Sequence, residues 1–108
     1  MSLYEIQRQV DEWAKQFKIP YWHPLAIMTR LTEESGELAR EVNHRFGPKQ
    51  KKPAEDKKEV GDEIADVIMT LCCLANSQGI NLDEHWKELM KKLYQRDTDR
   101  FEKKTGGK

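Results

Sequence analysis

The chain has 108 residues, and its 19 basic and 19 acidic side chains give a formal net charge of zero. This balance argues against a general nucleic-acid binder, which would carry a basic excess. No apolar run reaches the roughly 18 residues of a membrane span, and the N-terminus lacks the apolar core of a signal peptide. We therefore expect a single-domain protein of the cytoplasm.

Apolar residues make up 37% of the chain and charged residues 35%, which is a polar composition for a small globular protein. Narrow apolar stripes on short helices favour a second copy of the chain to complete the core, so we expect a homodimer or homotetramer. Cys72 and Cys73 are adjacent and point about 100° apart on a helix, which makes them poor disulfide partners. Buried thiols in a reducing compartment are the expected interpretation.

The chain begins with a capping box, Ser2-Leu3-Tyr4-Glu5, which predicts the start of a first helix that ends before Pro20. The segment 19–24 is a rigid aromatic connector, because each of its prolines disfavours helix in the preceding residue. Pro24 is expected as the first residue of a second helix, with His23 as the helix-start side chain. Phe46-Gly47-Pro48 ends that helix.

A basic loop, 49–52, precedes a third helix that is predicted to begin near Pro53 or Ala54 and to run towards Gly79. A second capping box, Asn81 to Glu84, opens a fourth helix that reaches Phe101. Strand signals are nearly absent, so the fold class is all-α: one helical domain over 1–104, followed by a disordered tail at 105–108.

Each predicted helix carries apolar residues at helical spacing, which indicates one core-facing stripe per helix. The stripes contain Leu3, Ile6, Val10, Trp13, Ala14 and Phe17; Ile27, Met28, Leu31, Leu38, Ala39 and Val42; Val60, Ile64, Val67, Leu71 and Leu74; and Trp86, Leu89, Met90, Leu93 and Phe101.

Two pairs of carboxylates are the main chemical signal, Glu34 with Glu37 and Glu63 with Asp66. Three-residue spacing puts both members of a pair on one side of a helix. Each pair flanks the apolar stripe of its helix, so the four carboxylates are predicted to converge if the stripes face a common core. Such oxygen donors favour Mg²⁺ or Mn²⁺, and no cysteine or histidine spacing suits zinc.

The alternative is that Glu33, Glu34, Glu37 and Glu41 form a solvated acidic face. Its basic partners would be residues such as Arg30 and Arg40. Gly36 lies inside a helix, where glycine costs close to 1 kcal/mol relative to alanine, and its presence indicates close approach by another backbone or a ligand. Glu59 and Asp62 have the same spacing one turn earlier and remain second choices for the second pair.

The sequence Glu33-Glu34-Ser35-Gly36-Glu37, followed by Glu63-x-x-Asp66 and the apolar run Val67-Ile68-Met69, resembles the MazG-like all-α nucleotide pyrophosphohydrolases. The resemblance extends roughly from Trp13 to Phe101. It implies a four-helix MazG-like bundle completed by oligomerisation. It also implies hydrolysis of a nucleoside triphosphate to a monophosphate and pyrophosphate. A role that this implies is housecleaning, the removal of non-standard nucleotides.

The resemblance assigns roles residue by residue. Glu34, Glu37, Glu63 and Asp66 are implied as ligands of Mg²⁺, with Mn²⁺ as a substitute, and Glu33 as a residue that orients or activates water. These five carboxylates are the expected catalytic residues.

Basic residues on the fourth helix are implied as phosphate ligands. Lys92, Arg96 and Arg100 are four residues apart and share one face; the alternative is a solvated stripe paired with acidic neighbours such as Asp97. Trp22 is the candidate for stacking on a base, because it lies in the connector.

Two other functions stay open at this point. The protein could hydrolyse another diphosphate metabolite, such as phosphoribosyl-ATP, since the same fold accommodates both substrates. It could also be a helical dimerisation module without turnover, although the intact set of four carboxylates counts against that.

Overall fold

A computed structural model describes residues 1–48, 59–97 and 99–104. It contains four helices, α1 (Leu3–Ala14), α2 (Pro24–Phe46), α3 (Val60–Ser77) and α4 (Leu82–Arg96). The part of the chain that is described contains no strand, so the predicted all-α class is confirmed. None of its helices combines the length and the apolar character that crossing a membrane requires.

The predicted helix starts are formed by local hydrogen bonds. Ser2 Oγ accepts from the Glu5 amide at 3.1 Å, while the Glu5 carboxylate accepts from the Ser2 amide at 3.4 Å. At α2, His23 Nδ1 accepts from the Leu25 amide at 3.1 Å, and Pro24 occupies the first turn. These bonds satisfy amides that have no partner within the helix.

The third helix begins later than predicted. Glu59 is extended, with φ −87° and ψ 152°, so no continuous helix passes through it from Pro53 or Ala54, which themselves lie outside the described residues. The Asp62 carboxylate accepts from the Glu59 amide at 3.2 Å and thereby caps α3 at this point. The basic loop 49–52 and the predicted tail 105–108 also lie outside the described residues.

The fourth helix ends earlier than predicted. Asp97 follows the last helical residue with φ −104° and ψ 4°, and its carboxylate accepts from Arg96 Nε at 3.2 Å and from Arg100 Nη1 at 3.4 Å. The chain turns there, so Phe101 lies beyond α4 and is exposed. At the start of α4, Asn81 Oδ1 accepts from the Asp83 amide at 3.0 Å.

The most extensive helix contact is between α2 and α3, while α1 packs on α3 and α4 packs chiefly on α1. Ile27 and Glu34 are buried on α2, and Glu63 and Thr70 are buried on α3. Seven residues separate the members of each pair, which places both members on one helix face. The seam between α2 and α3 is therefore partly acidic.

The apolar stripes do not fill this seam as predicted. On α3, Ile64 is 45% exposed and Leu71 is 41% exposed, whereas their neighbours Glu63 and Thr70 are buried. The fully buried apolar core of the described residues consists of Ala14, Ile27, Cys72 and Ala75. The buried face of α3 therefore carries polar and small side chains, while its larger apolar residues face outward.

A hydrogen-bonded group connects the remaining elements. The buried side chain of Gln7 donates to Asn76 Oδ1 at 3.0 Å and to the Ile80 carbonyl at 2.7 Å, and its oxygen accepts from the Leu82 amide at 2.9 Å. Asn76 also donates to Tyr21 Oη at 3.0 Å. The connector, α1, the end of α3 and the start of α4 are thereby tied together.

Candidate active site

An acidic cluster lies at the seam between α2 and α3. One carboxylate oxygen from each of Glu34, Glu37 and Glu63 lies within 4.8 Å of the other two. Glu34 and Glu63 are each only 2% exposed, while Glu37 is exposed. A solvated acidic face is therefore the wrong interpretation for Glu34 and Glu63, because their side chains are withdrawn from water.

Burial of these carboxylates is unfavourable unless an opposite charge compensates it. Loss of solvation raises the pKa of Glu34; Arg30 opposes that rise, and the charges of Glu37, Asp66 and Glu63 add to it. Arg30 Nη2 lies 2.7 Å from Glu34 Oε1, whereas the buried atom Glu34 Oε2 has no hydrogen-bond partner. An unsatisfied buried oxygen among converging carboxylates is a donor set that fits a hard divalent cation.

Asp66 lies at the edge of this cluster. It is half-buried, lines the same cavity as Glu34, and acts electrostatically on Glu34. Asp66 does not belong to the group of three whose carboxylate oxygens lie within 4.8 Å of one another. The structure therefore brings three of the four predicted ligands close together and places the fourth nearby. Glu33 precedes Glu34 and is exposed on α2.

The alternative pair, Glu59 and Asp62, has a different environment. Both residues are exposed, and the Asp62 carboxylate is engaged at the start of α3. The geometry therefore favours Glu63 over these second choices.

A cavity of about 530 Å³ opens beside the acidic cluster. Its wall is mainly aromatic and apolar and comes from the end of α1, the connector and α3, while Arg30, Glu34 and Asp66 form its charged side. Trp22 lines this cavity and is 59% exposed. Trp13 and Phe17 meet edge to face, with ring centroids 5.1 Å apart. An apolar wall next to these charged groups suits a ligand with a flat ring and, with a cation held by the carboxylates, an anionic group.

The Tyr21 hydroxyl holds the connector against this cavity. It donates to Asp11 Oδ1 and accepts from Asn76 Nδ2, while the residue itself lines the cavity. Burial, together with the hydrogen bond to Asp11, raises the pKa of Tyr21 to about 12. This network is not among the features predicted from the sequence. Its one signal in the sequence is Asn76, a polar residue at the end of the apolar run 71–75.

The predicted phosphate ligands, two on α4 and Arg100 beyond its end, are not part of the cavity lining. Arg96 and Arg100 both pair with Asp97, and Lys92 is exposed. Within the described residues, Arg30 is the one basic side chain that lines the cavity. From the sequence, Arg30 is expected only as a partner for surface acids, although its position four residues before Glu34 also indicates contact with that residue.

The two thiols differ in their surroundings. Cys72 is buried, whereas Cys73 is half-buried and lines the cavity. Both thiols are free, as predicted, but only Cys72 is fully buried as expected. Burial raises the pKa of both thiols, which lowers their thiolate fraction.

The described helices form an all-α fold in which carboxylates of α2 and α3 converge beside an apolar cavity, and this arrangement defines a candidate metal and nucleotide site. Residues 23–101 match the MazG nucleotide pyrophosphohydrolase domain. The chain therefore belongs to the MazG family, and it is a hydrolase that acts on pyrophosphate bonds.

Similar proteins support this membership. The chain is 52% identical to YpjD and 32% identical to YvdC, two uncharacterized proteins of Bacillus subtilis strain 168. The YpjD match covers 99% of this chain and 96% of that protein, and the YvdC match covers 94% and 98%.

Two crystal structures share the fold. One is YpjD of Bacillus subtilis, provisionally described as a pyrophosphatase, with a TM-score of 0.76 and 53% identity over 85% of this chain and 94% of that one. The other is the Bacillus-conserved MazG protein, a nucleotide pyrophosphohydrolase, with a TM-score of 0.76 and 40% identity over 92% and 96%.

Proposed function

We propose that the protein hydrolyses nucleoside or deoxynucleoside triphosphates to the monophosphate and pyrophosphate, with Mg²⁺ as cofactor and Mn²⁺ as a substitute. Water adds across the anhydride between the α and β phosphates, and pyrophosphate leaves. The observation that carries the proposal is the convergence of Glu34, Glu37 and Glu63 within 4.8 Å, next to the aromatic cavity.

Glu34, Glu37, Glu63 and Asp66 are the proposed metal ligands. The fit is supported by the partnerless buried oxygen of Glu34 and by the all-oxygen donor set. Mg²⁺ bound there would supply positive charge against the phosphates. Glu33, the adjacent exposed carboxylate, is the proposed residue for orienting the attacking water and accepting its proton.

The aromatic cavity is the proposed site for the base. The exposed Trp22 side chain, on the cavity wall, offers a face for stacking. Because Glu34 and Asp66 line the same cavity, a base against the aromatic wall would direct its phosphates towards the acidic cluster. This polarity supports a nucleotide substrate over a small diphosphate that lacks a ring.

We further propose that the active protein is a homodimer or homotetramer. Large apolar side chains of α2, α3 and α4 are exposed, including Val42, Ile68 and Leu89, and no residue of α4 is buried. Lys92 and Arg96 on α4, and Arg100 beyond its end, do not line the cavity of their own chain, so we propose that they bind phosphates in the site of a second copy. Sedimentation of the wild-type protein tests this, and a monomer at assay concentration would contradict it.

A cytoplasmic location belongs to the same proposal. Its supports are the two free thiols, which persist in a reducing compartment, and the nucleotide substrate.

The test is pyrophosphate release from a panel of ribo- and deoxyribonucleoside triphosphates, with Mg²⁺, with Mn²⁺ and with EDTA. We expect metal-dependent release together with an equal amount of the matching monophosphate. Release of inorganic phosphate instead would place cleavage at another bond and contradict the proposal. Phosphoribosyl-ATP is included in the panel as the competing diphosphate substrate.

Two matched variants locate the site. Glu63→Gln removes a buried carboxylate of the cluster and is expected to abolish turnover while helicity by circular dichroism is retained. Glu59→Gln, one turn earlier and exposed, is expected to retain turnover. The opposite pattern would move the second acidic pair to Glu59 and Asp62.

A further inference from the structure

Arg30 occupies the boundary between the aromatic cavity and the acidic cluster. Its Nη2 lies 2.7 Å from Glu34 Oε1, and its side chain is 51% exposed, whereas that of Glu34 is 3% exposed. Arg30 lines the cavity together with Glu34, Asp66 and Trp22. The ion pair thus joins a buried acid to a cation that solvent and a bound ligand can reach.

This pairing competes with a metal ion. The guanidinium engages Glu34 Oε1, and Glu34 Oε2 is buried without a hydrogen-bond partner. A divalent cation bound to Glu34 would lie a few ångströms from a permanent positive charge, and the two cations repel each other. The half-exposed arginine has a long, flexible stem and can move away from Glu34, which is held in the seam.

The same cavity offers the displaced guanidinium a second partner. A nucleotide with its base on the aromatic wall would carry its phosphates past Arg30 on the way to the carboxylates. A guanidinium presents several N–H donors in a planar fork that matches phosphate oxygens. Within the same chain, Arg96 and Arg100 are less well placed, because both pair with Asp97 at and beyond the end of α4 and neither lines the cavity.

We propose that Arg30 is a substrate-binding residue that exchanges partners: it neutralises Glu34 in the free protein and binds phosphate oxygens of the substrate once metal is bound. This inference rests on the proposed function. It makes the two ligands cooperative. Metal displaces Arg30 and so favours nucleotide, and nucleotide holds Arg30 away from Glu34 and so favours metal, by the reciprocity of linked binding.

The test uses Arg30→Gln, which keeps a helix-compatible polar stem and removes the charge. Arg45→Gln is the matched control, since Arg45 is an exposed arginine in the last turn of the same helix. The first measurement is Mn²⁺ binding without nucleotide, followed by electron paramagnetic resonance. We expect Arg30→Gln to bind Mn²⁺ several-fold more tightly than the wild type, because the competing guanidinium is gone.

The second measurement is binding of a non-hydrolysable α,β-methylene triphosphate in the presence of Mn²⁺, by calorimetry. We expect Arg30→Gln to bind it about 10- to 100-fold more weakly, which corresponds to a lost hydrogen bond to a charged group. Arg30→Lys keeps a point charge and is expected to recover part of that affinity. Arg45→Gln should match the wild type in both measurements.

Opposite changes in the two affinities support the exchange. A residue that served only to hold Glu34 would instead weaken Mn²⁺ binding when removed, and that result would overturn the inference. Nucleotide binding unchanged by Arg30→Gln would also overturn it, while leaving the proposed function in place. A wild-type protein that bound no nucleotide at all would overturn the proposed function and this inference together.

Discussion

Replacement of Glu34 by glutamine separates what this residue does for stability from what it does for metal binding. The change keeps the shape of the side chain and removes a charge that lies within 4.8 Å of the equally buried Glu63. At that distance, and with an effective dielectric constant of about 20, two like charges repel by about 3 kcal/mol. The ion pair between Glu34 and the half-exposed Arg30 offsets about 1 kcal/mol of this repulsion.

We therefore expect Glu34→Gln to be more stable than the wild type without metal, by about 2 kcal/mol. For a domain of this size that corresponds to an increase of about 10 °C in Tm. The assay is thermal unfolding at pH 8 in EDTA, followed by circular dichroism, with Glu12→Gln on the exposed surface of α1 as the control.

The same assay with metal should reverse the order. A metal present at about 100 times its Kd stabilises the protein that binds it by about 2.7 kcal/mol, and the wild type alone should gain this. A lower Tm for Glu34→Gln in EDTA would refute the reasoning on burial. An undiminished metal-dependent shift in the variant would refute the assignment of Glu34 as a ligand.

Two other predictions concern stability. Gly36→Ala should raise the free energy of unfolding by close to 1 kcal/mol, because alanine favours a helix more than glycine does. The added Cβ would meet no atom of the described chain within 4 Å. A decrease in Tm would instead indicate that a second copy packs closely on Gly36. Tyr21 has a pKa of about 12 in the folded protein against about 10 when unfolded, so the unfolded state loses its proton first and stability falls as the pH rises from about 10 to 12. Tyr21→Phe should lack this loss, which reaches about 2 to 3 kcal/mol above pH 12 and about 1.4 kcal/mol by pH 11. Urea unfolding at pH 8 and pH 11 measures the smaller of these differences, and parallel losses in both proteins would contradict it.

Local chemistry explains which elements could be predicted from sequence. The starts of α1 and α2 depend on hydrogen bonds within two or three residues, from Ser2 and His23, and such bonds are encoded by the residues themselves. The end of α4 depends on Asp97, whose carboxylate accepts hydrogen bonds from Arg96 and Arg100. The helical spacing of apolar residues continues past this contact and gives no sign of it. The helix predicted from that spacing is therefore too long and extends to Phe101.

The site was predictable in part for a related reason. Spacing places Glu34 with Glu37, and Glu63 with Asp66, on common helix faces. Spacing does not determine how two helices rotate against each other. The burial of Glu34 and Glu63, the exposure of Ile64 and the entry of Arg30 into the cavity all follow from that rotation. Gly36 illustrates the same limit, since the close approach expected there is absent within the described chain.

The acidic seam and the exposed apolar stripes have one physical origin. Because α2 and α3 direct Glu34 and Glu63 towards each other, neither helix can bury its full apolar stripe in the same seam, and side chains such as Ile64 and Leu71 face outward. Two charges that repel each other in the seam, and apolar area left in water outside it, both reduce the stability of the single chain. Metal bound in the seam would remove the charge repulsion. A second copy packed on the outer stripes would bury the exposed apolar area. Metal and chain concentration should therefore raise the Tm independently, which is the behaviour expected if the proposed metal site and the proposed oligomer lie on opposite faces of the same two helices.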